Sequence, residues 1–368
     1  MIHLALTHDW ELRGDGSGDI EQIQFAPLRK LLAIYEEHGT RTTFLPDVMQ
    51  QLRFRSLQDK HPELRSLADL WDEHVRQTFR QRHDIQLHLH PHWLSAHFEG
   101  DQWQLAGDWA IVNYDRETAR AMLCEAKEYL ERLLRPIDDS YRCLAFRAGA
   151  LAAAPSDHLL QTLAELELEL DVSIAAGLWV DEPHLRLDYR DCEEPFLPYY
   201  PVMTDARRVS RKPEPIICVP LNHFLGSRHA VTRQNLSLVK QRLLPNQAQP
   251  LPSVASKSHN ARTQNRARAA FDKLVKPLFK RKYFVSDTGR LDYALMREML
   301  AAIRHRAKES GLENIPIVLT NHPKDIRDWN AIEKFVAEVS RAEDLRFITL
   351  SEVANKLRNG EFQVRRAS

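Results

Sequence analysis

The chain has 368 residues, 43% of them hydrophobic, enough to bury a sizeable core as one large α/β domain or two small ones. Lysine plus arginine equals aspartate plus glutamate at 51 each, so no overall field draws the molecule to nucleic acid or to an anionic membrane. The apolar start is too short for a signal peptide, no window approaches the roughly 20 apolar residues of a membrane span, and Cys124, Cys143, Cys192 and Cys218 form no Cys-x-x-Cys pair. Buried, reduced thiols in a cytoplasmic protein are therefore expected.

Taken in chain order, short apolar or β-branched runs alternate with segments of helical period, the rhythm of parallel strands joined by helical crossovers. Strands are expected at 2–7, 41–45, 84–89, 142–146, 169–174, 216–220, 315–320 and 346–349. Eight such runs suit a single distorted (β/α)7-8 barrel, with one domain over 1–368. Helices of its outer ring are expected from Phe25 to His38, closed by Gly39, from Arg116 to Leu134 and from Leu291 to Lys308. An open doubly wound sheet would want a phosphate-binding turn after the first strand. Gly14-Asp15-Gly16-Ser17-Gly18 is superficially suitable, but Asp9-Trp10-Glu11 intervenes and no clear helix starts inside the glycines. The stretch from 246 to 282 is polar and carries a cationic run from Arg262 to Lys282; it is expected to be an insertion with a solvated, basic face.

The chemistry-bearing residues gather at the carboxyl ends of these strands, where barrel enzymes keep their active sites. His88, His90 and His92 recur at period two at the end of one strand, which puts them on one side while the strand lasts. Converging neutral imidazoles are what a zinc-class ion takes. Asp9 and Glu11, at the end of the first strand, offer one carboxylate as a metal ligand and one as a general base. Arg147 stands just past the strand 142–146, and His322 ends the apolar run Ile315–Thr320. Trp10, Trp93, Trp103 and Trp109 are candidates for stacking on sugar rings, and Asn222 follows the strand 216–220.

In this order the motifs resemble the polysaccharide deacetylase (NodB-like) superfamily, particularly its members associated with surface-polysaccharide biosynthesis, over the span Leu4 to Ala354. Thr7-His8-Asp9-Trp10-Glu11 is similar to the first motif, His88-Leu89-His90-Pro91-His92 to the metal motif, and Phe146-Arg147-Ala148-Gly149 to the third. Leu170-Asp171-Val172-Ser173 resembles the fourth motif and Leu319-Thr320-Asn321-His322 the fifth.

The resemblance implies a deacetylase-type barrel and a hydrolase that removes N- or O-linked acetyl groups from a carbohydrate. It implies a divalent ion, zinc by preference, on Glu11, His88 and His92, with His90 as a competing third nitrogen. Asp9 would be the base and His322 the acid, with Arg147 and Asp171 orienting them, while Trp10, Trp93 and Asn222 bind substrate. The departures are Trp10 in place of a second adjacent aspartate, His8 where phenylalanine is commoner, and no proline-rich turn after Arg147. The alternatives are hydrolysis of another C–N amide bond or of another ester, or a non-catalytic relative that binds glycan or a partner. Nucleic-acid binding rests on the basic insertion alone, and no oligomeric state is implied.

Overall fold

A computed structural model describes residues 1–234 and 282–367. The polar insertion expected at 246–282 lies outside the described residues except for its last position.

The first strand, β1 (Ile2–Trp10), is buried along its whole length because a parallel neighbour flanks it on each side. On one side lies β2 (Thr43–Pro46), with Thr7 opposite Thr43; on the other lies β8 (Ile315–Asn321), with Leu6 opposite Leu319. Beyond β2 comes β3 (Asp84–Ile85), while the short β9 (Leu345–Phe347) also pairs with the start of β1. A second parallel sheet runs β7 (Ile217–Cys218), β6 (Leu170–Asp171), β5 (Ala145–Ala148), β4 (Leu87–Leu89). Two parallel bridges link the sheets: Asp47 with His88, and Leu221 with Val318. The result is a mixed α/β fold built on parallel strands.

The helices follow from apolar stripes and caps. α1 (Ala26–Glu37) buries Leu28, Leu31, Leu32 and Tyr35 and is preceded by a π-turn at Glu21–Phe25. α2 (Val48–Leu57) and α3 (Pro62–Arg80) follow β2, and α4 (Arg116–Leu134) is capped by the Asp115 carboxylate, which accepts the Thr118 N–H at 2.8 Å. α5 (Leu159–Glu165) precedes β6. α6 (Tyr293–Ser310) is capped by Asp292 and stopped at Gly311, whose φ of 69° is easy only for glycine. α7 (Trp329–Arg341) and α8 (Leu350–Arg358) close the chain, α8 with a Thr349/Glu352 capping box. No helix among the described residues is long and apolar enough to cross a membrane.

Two differences from the sequence expectation bear on the site. The run 84–89 is not one strand, because Gln86 breaks it: its Oε1 accepts the N–H groups of Leu144 and Ala145, both at 2.8 Å. Those donors are lost to the strand ladder, so the strand expected at 142–146 starts at Ala145 and takes in Arg147. Four antiparallel pairs were also not expected: 97–99 with 102–104, 179–182 with 185–188, 201–202 with 205–209, and 223–226 with 282–285.

Candidate active site

Alternation along β1 sorts its residues into two environments. Thr7 and Asp9 point toward Arg147, and His8 and Trp10 toward the helices. Arg147, fully buried in β5, donates from Nη1 to Asp9 Oδ1 at 2.5 Å, to Thr7 Oγ1 at 2.7 Å and to Thr320 Oγ1 at 3.2 Å. Its Nε donates to the Val172 carbonyl at 3.2 Å. A buried carboxylate is thus matched by a buried guanidinium on β5 that β1, β8 and the residue after β6 hold in place.

Two residues further on, Glu11 meets the histidines. His88 Nδ1 lies 3.0 Å from the Arg147 carbonyl, which can only accept, so Nδ1 carries a proton. The opposite nitrogen, Nε2, then faces Glu11 Oε2 at 2.9 Å. In the neutral ring that contact sets a lone pair against a carboxylate, so it calls for a cation, either a proton or a metal ion. Burial opposes a charge on His88, but the Glu11 contact with the nearby Asp9 and Asp47 outweighs it and pushes the pKa up to about 9. His90 Nε2 pairs with the same Oε2 at 2.5 Å, while His90 Nδ1 has no hydrogen-bond partner. Glu11, His88 and His90 bring their ligand atoms within 4.8 Å of one another.

The surroundings hold this group in place. The Asp47 carboxylate, its pKa raised by burial, accepts the His90 backbone N–H at 3.1 Å. Gly149 makes room for the ring: a Cβ there would lie 2.7 Å from both His90 Nδ1 and the Leu89 carbonyl. Lys324 Nζ donates to Glu11 Oε1 at 2.6 Å and to the Leu12 carbonyl at 2.8 Å. Burial alone would raise the Glu11 pKa, but Lys324 and the two imidazoles hold it well below the usual carboxylate range.

Two imidazoles and a carboxylate are a donor set that zinc-class ions accept. The convergence of Glu11, His88 and His90, with both imidazoles turned onto one carboxylate oxygen, fits such an ion. His92 is not in this group. The chain leaves the strand at Pro91, and His92 enters a 3-10 turn where its ring stacks on Trp109 at 5.1 Å. Burial and the neighbouring His90 push its pKa down to about 3.

His322 lies across from Glu11. Its Nδ1 donates to Asp287 Oδ2 at 2.9 Å, while Nε2 points between Asp9 Oδ2 at 3.4 Å and Glu11 Oε1 at 3.9 Å. Burial lowers the His322 pKa, but Asp287 and Asp9 outweigh it and leave it above the ordinary value. Arg290 steadies Asp287 at 3.2 Å and pairs with Asp325 at 2.5 Å.

Asp171 contacts neither Asp9 nor His322. It accepts from the Ser173 hydroxyl at 2.6 Å, and that hydroxyl takes the Ala148 N–H at 2.8 Å, which locks β6 to β5; burial pushes the Asp171 pKa up to about 6. Trp10 is 2% exposed, packs on Trp71 and Phe25, and donates from Nε1 to the Gln24 carbonyl, because its position on β1 faces the helices. Trp93 is equally buried, against Trp103 and Phe54. Neither ring presents a face to a sugar; Trp103 and Trp109 are partly exposed. Asn222 is buried, its amide donating to Ser286 Oγ at 2.7 Å.

Sequence reasoning missed Asp287, Lys324 and Asp47. Lys324 had a signal, standing two residues after His322 in the same strand-end loop. Asp287 had none, since only a bridge to Thr320 places it beside β8.

No protein-family model matches the chain, and no curated protein matches it in sequence. Solved structures do. A protein assigned as a polysaccharide deacetylase from Mycobacterium smegmatis is 18% identical, with a TM-score of 0.50 over 100% of this chain and 93% of that one. One assigned likewise from Pseudomonas aeruginosa PAO1 is 11% identical, with a TM-score of 0.46 over 98% and 93%. PuuE allantoinase is 11% identical, with a TM-score of 0.47 over 97% and 90%. At this identity the likeness speaks to architecture alone: the chain shares its fold with the Mycobacterium smegmatis protein.

Proposed function

We propose that the chain is a metal-dependent hydrolase that removes N- or O-linked acetyl groups from a carbohydrate, with Glu11, His88 and His90 as the ligands of a zinc-class ion. The observation that carries this reading is the convergence of those three groups beside a second, separate pair, Asp9 and His322, suited to proton transfer. The two linking bridges support a further reading, that both sheets form one distorted (β/α)7-8 barrel in a single domain, with all of these residues at one mouth.

A bound zinc-class ion supplies Lewis acidity and brings the pKa of water from 15.7 towards about 7. The chain's own residues do the rest. Arg147 aims Asp9, so that the carboxylate accepts a proton from the attacking water. Asp287 holds Nδ1 of His322 and favours its protonated form, so Nε2 donates to the leaving amine or alkoxide. Asp171 acts by locking β6 to β5 and so fixing the strand that carries Arg147. Trp103 and Trp109, rather than Trp10 and Trp93, have the exposure that sugar stacking needs.

The test is elemental analysis of the desalted protein beside His88→Ala, followed by acetate release from acetylated sugars by wild type, Asp9→Asn and His322→Ala. About one ion per chain, absent from His88→Ala, is expected. Each proton-transfer variant should lose roughly 10²- to 10⁴-fold in rate. Full activity in metal-free protein, or in either variant, overturns the assignment. A second reading, a non-catalytic glycan-binding relative, draws on Lys324, whose ammonium already neutralises Glu11. Metal-free protein with no turnover on any acylated sugar selects it.

A further inference from the structure

The opposite ends of the strands carry a second feature. A cleft of about 750 Å³ opens where β2, β3, β5 and β6 begin, away from the residues at their carboxyl ends. Its wall includes five arginines and four acids, and the partners of these charges decide what the cleft offers.

Every acid in the wall is already committed. Asp84 accepts from Thr43 Oγ1 at 3.0 Å, Gln86 Nε2 at 2.9 Å, and the Ser351 hydroxyl and N–H at 2.8 and 3.0 Å. Asp138 is held by the Ser140 hydroxyl and N–H at 2.6 and 3.0 Å. Glu352 closes the α8 capping box, and Glu169 pairs with Arg358 at 2.7 Å. Arg80 pairs with Glu73 at 2.9 Å.

That leaves Arg41, Arg82 and Arg142, none of which pairs with a carboxylate among the described residues. Beside them sits His83, 4% exposed, whose Nδ1 accepts the Thr42 N–H at 3.3 Å. Burial pushes its pKa down to about 4, so the ring is neutral and its proton is on Nε2, a further donor that no protein acceptor engages.

We propose that this cleft is a second binding site, separate from the candidate active site, for a multiply charged phosphate-class anion gripped by Arg41, Arg82 and Arg142 over the His83 ring. Planar guanidinium forks match phosphoryl oxygens two at a time, and with the wall's acids held by protein donors the three arginines are the charges left to a ligand. Such an anion reaches the protein either as free polyphosphate or as the phosphoryl group of an activated sugar.

The test is isothermal titration at low salt with two probes, inorganic pyrophosphate and glucose 1-phosphate. Four proteins are compared: wild type, Arg41→Ala/Arg142→Ala, His88→Ala and Arg211→Ala, the last an exposed arginine outside the cleft. One saturable site per chain is expected for at least one probe, weakened about 10- to 100-fold in the double variant and unchanged in the other two. Whichever probe binds more tightly names the source of the anion, and either supports the site. No binding of either probe overturns the proposal. So does equal binding by the double variant, loss in His88→Ala, which puts the anion at the candidate metal centre, or an equal loss in Arg211→Ala, which marks diffuse attraction. None of these results depends on acetate release, so the proposal stands or falls apart from the catalytic reading.

Discussion

His8 and Asp9 are neighbours on β1, and both are buried, yet they face different chemistries. His8 looks outward: its ring stacks on Phe44 at 4.5 Å, accepts from the Asn321 amide at Nδ1 and meets the Tyr35 hydroxyl at Nε2. Burial, with His83 and Arg147 adding to it, drives its pKa well below the ordinary value, so it serves as a neutral, satisfied core ring. Asp9 looks inward to Arg147 and His322, and Glu11, beyond it, to two imidazoles and Lys324. The outward face is closed polar bookkeeping among neutral groups; the inward face gathers charges and turns three imidazoles onto carboxylates. Burial alone does not mark a functional residue, whereas buried donors and charges converging on one space do.

The sharpest way to break this comparison is Arg147→Met. It leaves Asp9 buried with no countercharge and is expected to cost about 3–5 kcal/mol in urea unfolding, together with activity. A loss below about 1 kcal/mol would mean that water or another cation reaches Asp9. Trp10→Ala should cost a comparable 3–5 kcal/mol, as other large-to-small core changes do. It should nonetheless keep the metal stoichiometry of wild type, because the ring lies on the outward face; loss of metal on elemental analysis would merge the two faces.

A smaller effect should appear at Asp171. Its folded pKa, about 6, lies above the 3.8 of the free group, so the folded state holds a proton that the unfolded state has released. The stability contribution is therefore full below pH 3.8 and falls as pH rises to about 6, by up to roughly 3 kcal/mol. Asp171→Asn should remove that fall, seen by comparing denaturation of the two proteins at pH 4, 5, 6 and 7. Parallel curves would show that Asp171 is ionised throughout. The smallest change is expected for His8→Phe, which preserves the stack on Phe44 but leaves the buried Asn321 amide without its acceptor; a cost of about 1–3 kcal/mol, with metal content unchanged, is anticipated.

Much of this arrangement was legible in the residues. The period-two histidines placed His88 and His90 on one side of a strand end, and the two-residue step from Asp9 to Glu11 placed both acids on one face of β1. What failed was extrapolation past the strand. His92 continues the period in the sequence, but Pro91 ends the strand before it, so the third step turns away to Trp109. Trp10 failed for the opposite reason: it belongs to the strand and obeys its alternation, which sends it to the helices. Asp171 shares its strand type with the other site residues, yet a hydroxyl two residues along captures its carboxylate.

Local pattern alone determined the parallel α/β character, the helices with their caps, and the strand ends at which acids and histidines gather, because side-chain period and capping are properties of neighbouring residues. Only the tertiary structure decided the partners: Asp287 for His322, Lys324 for Glu11, and the three arginines left without a carboxylate among the described residues at the far mouth. Those pairings join positions 35 to 313 residues apart. No local rule reaches that far, since which buried charges meet is set by how whole strands and loops close around them.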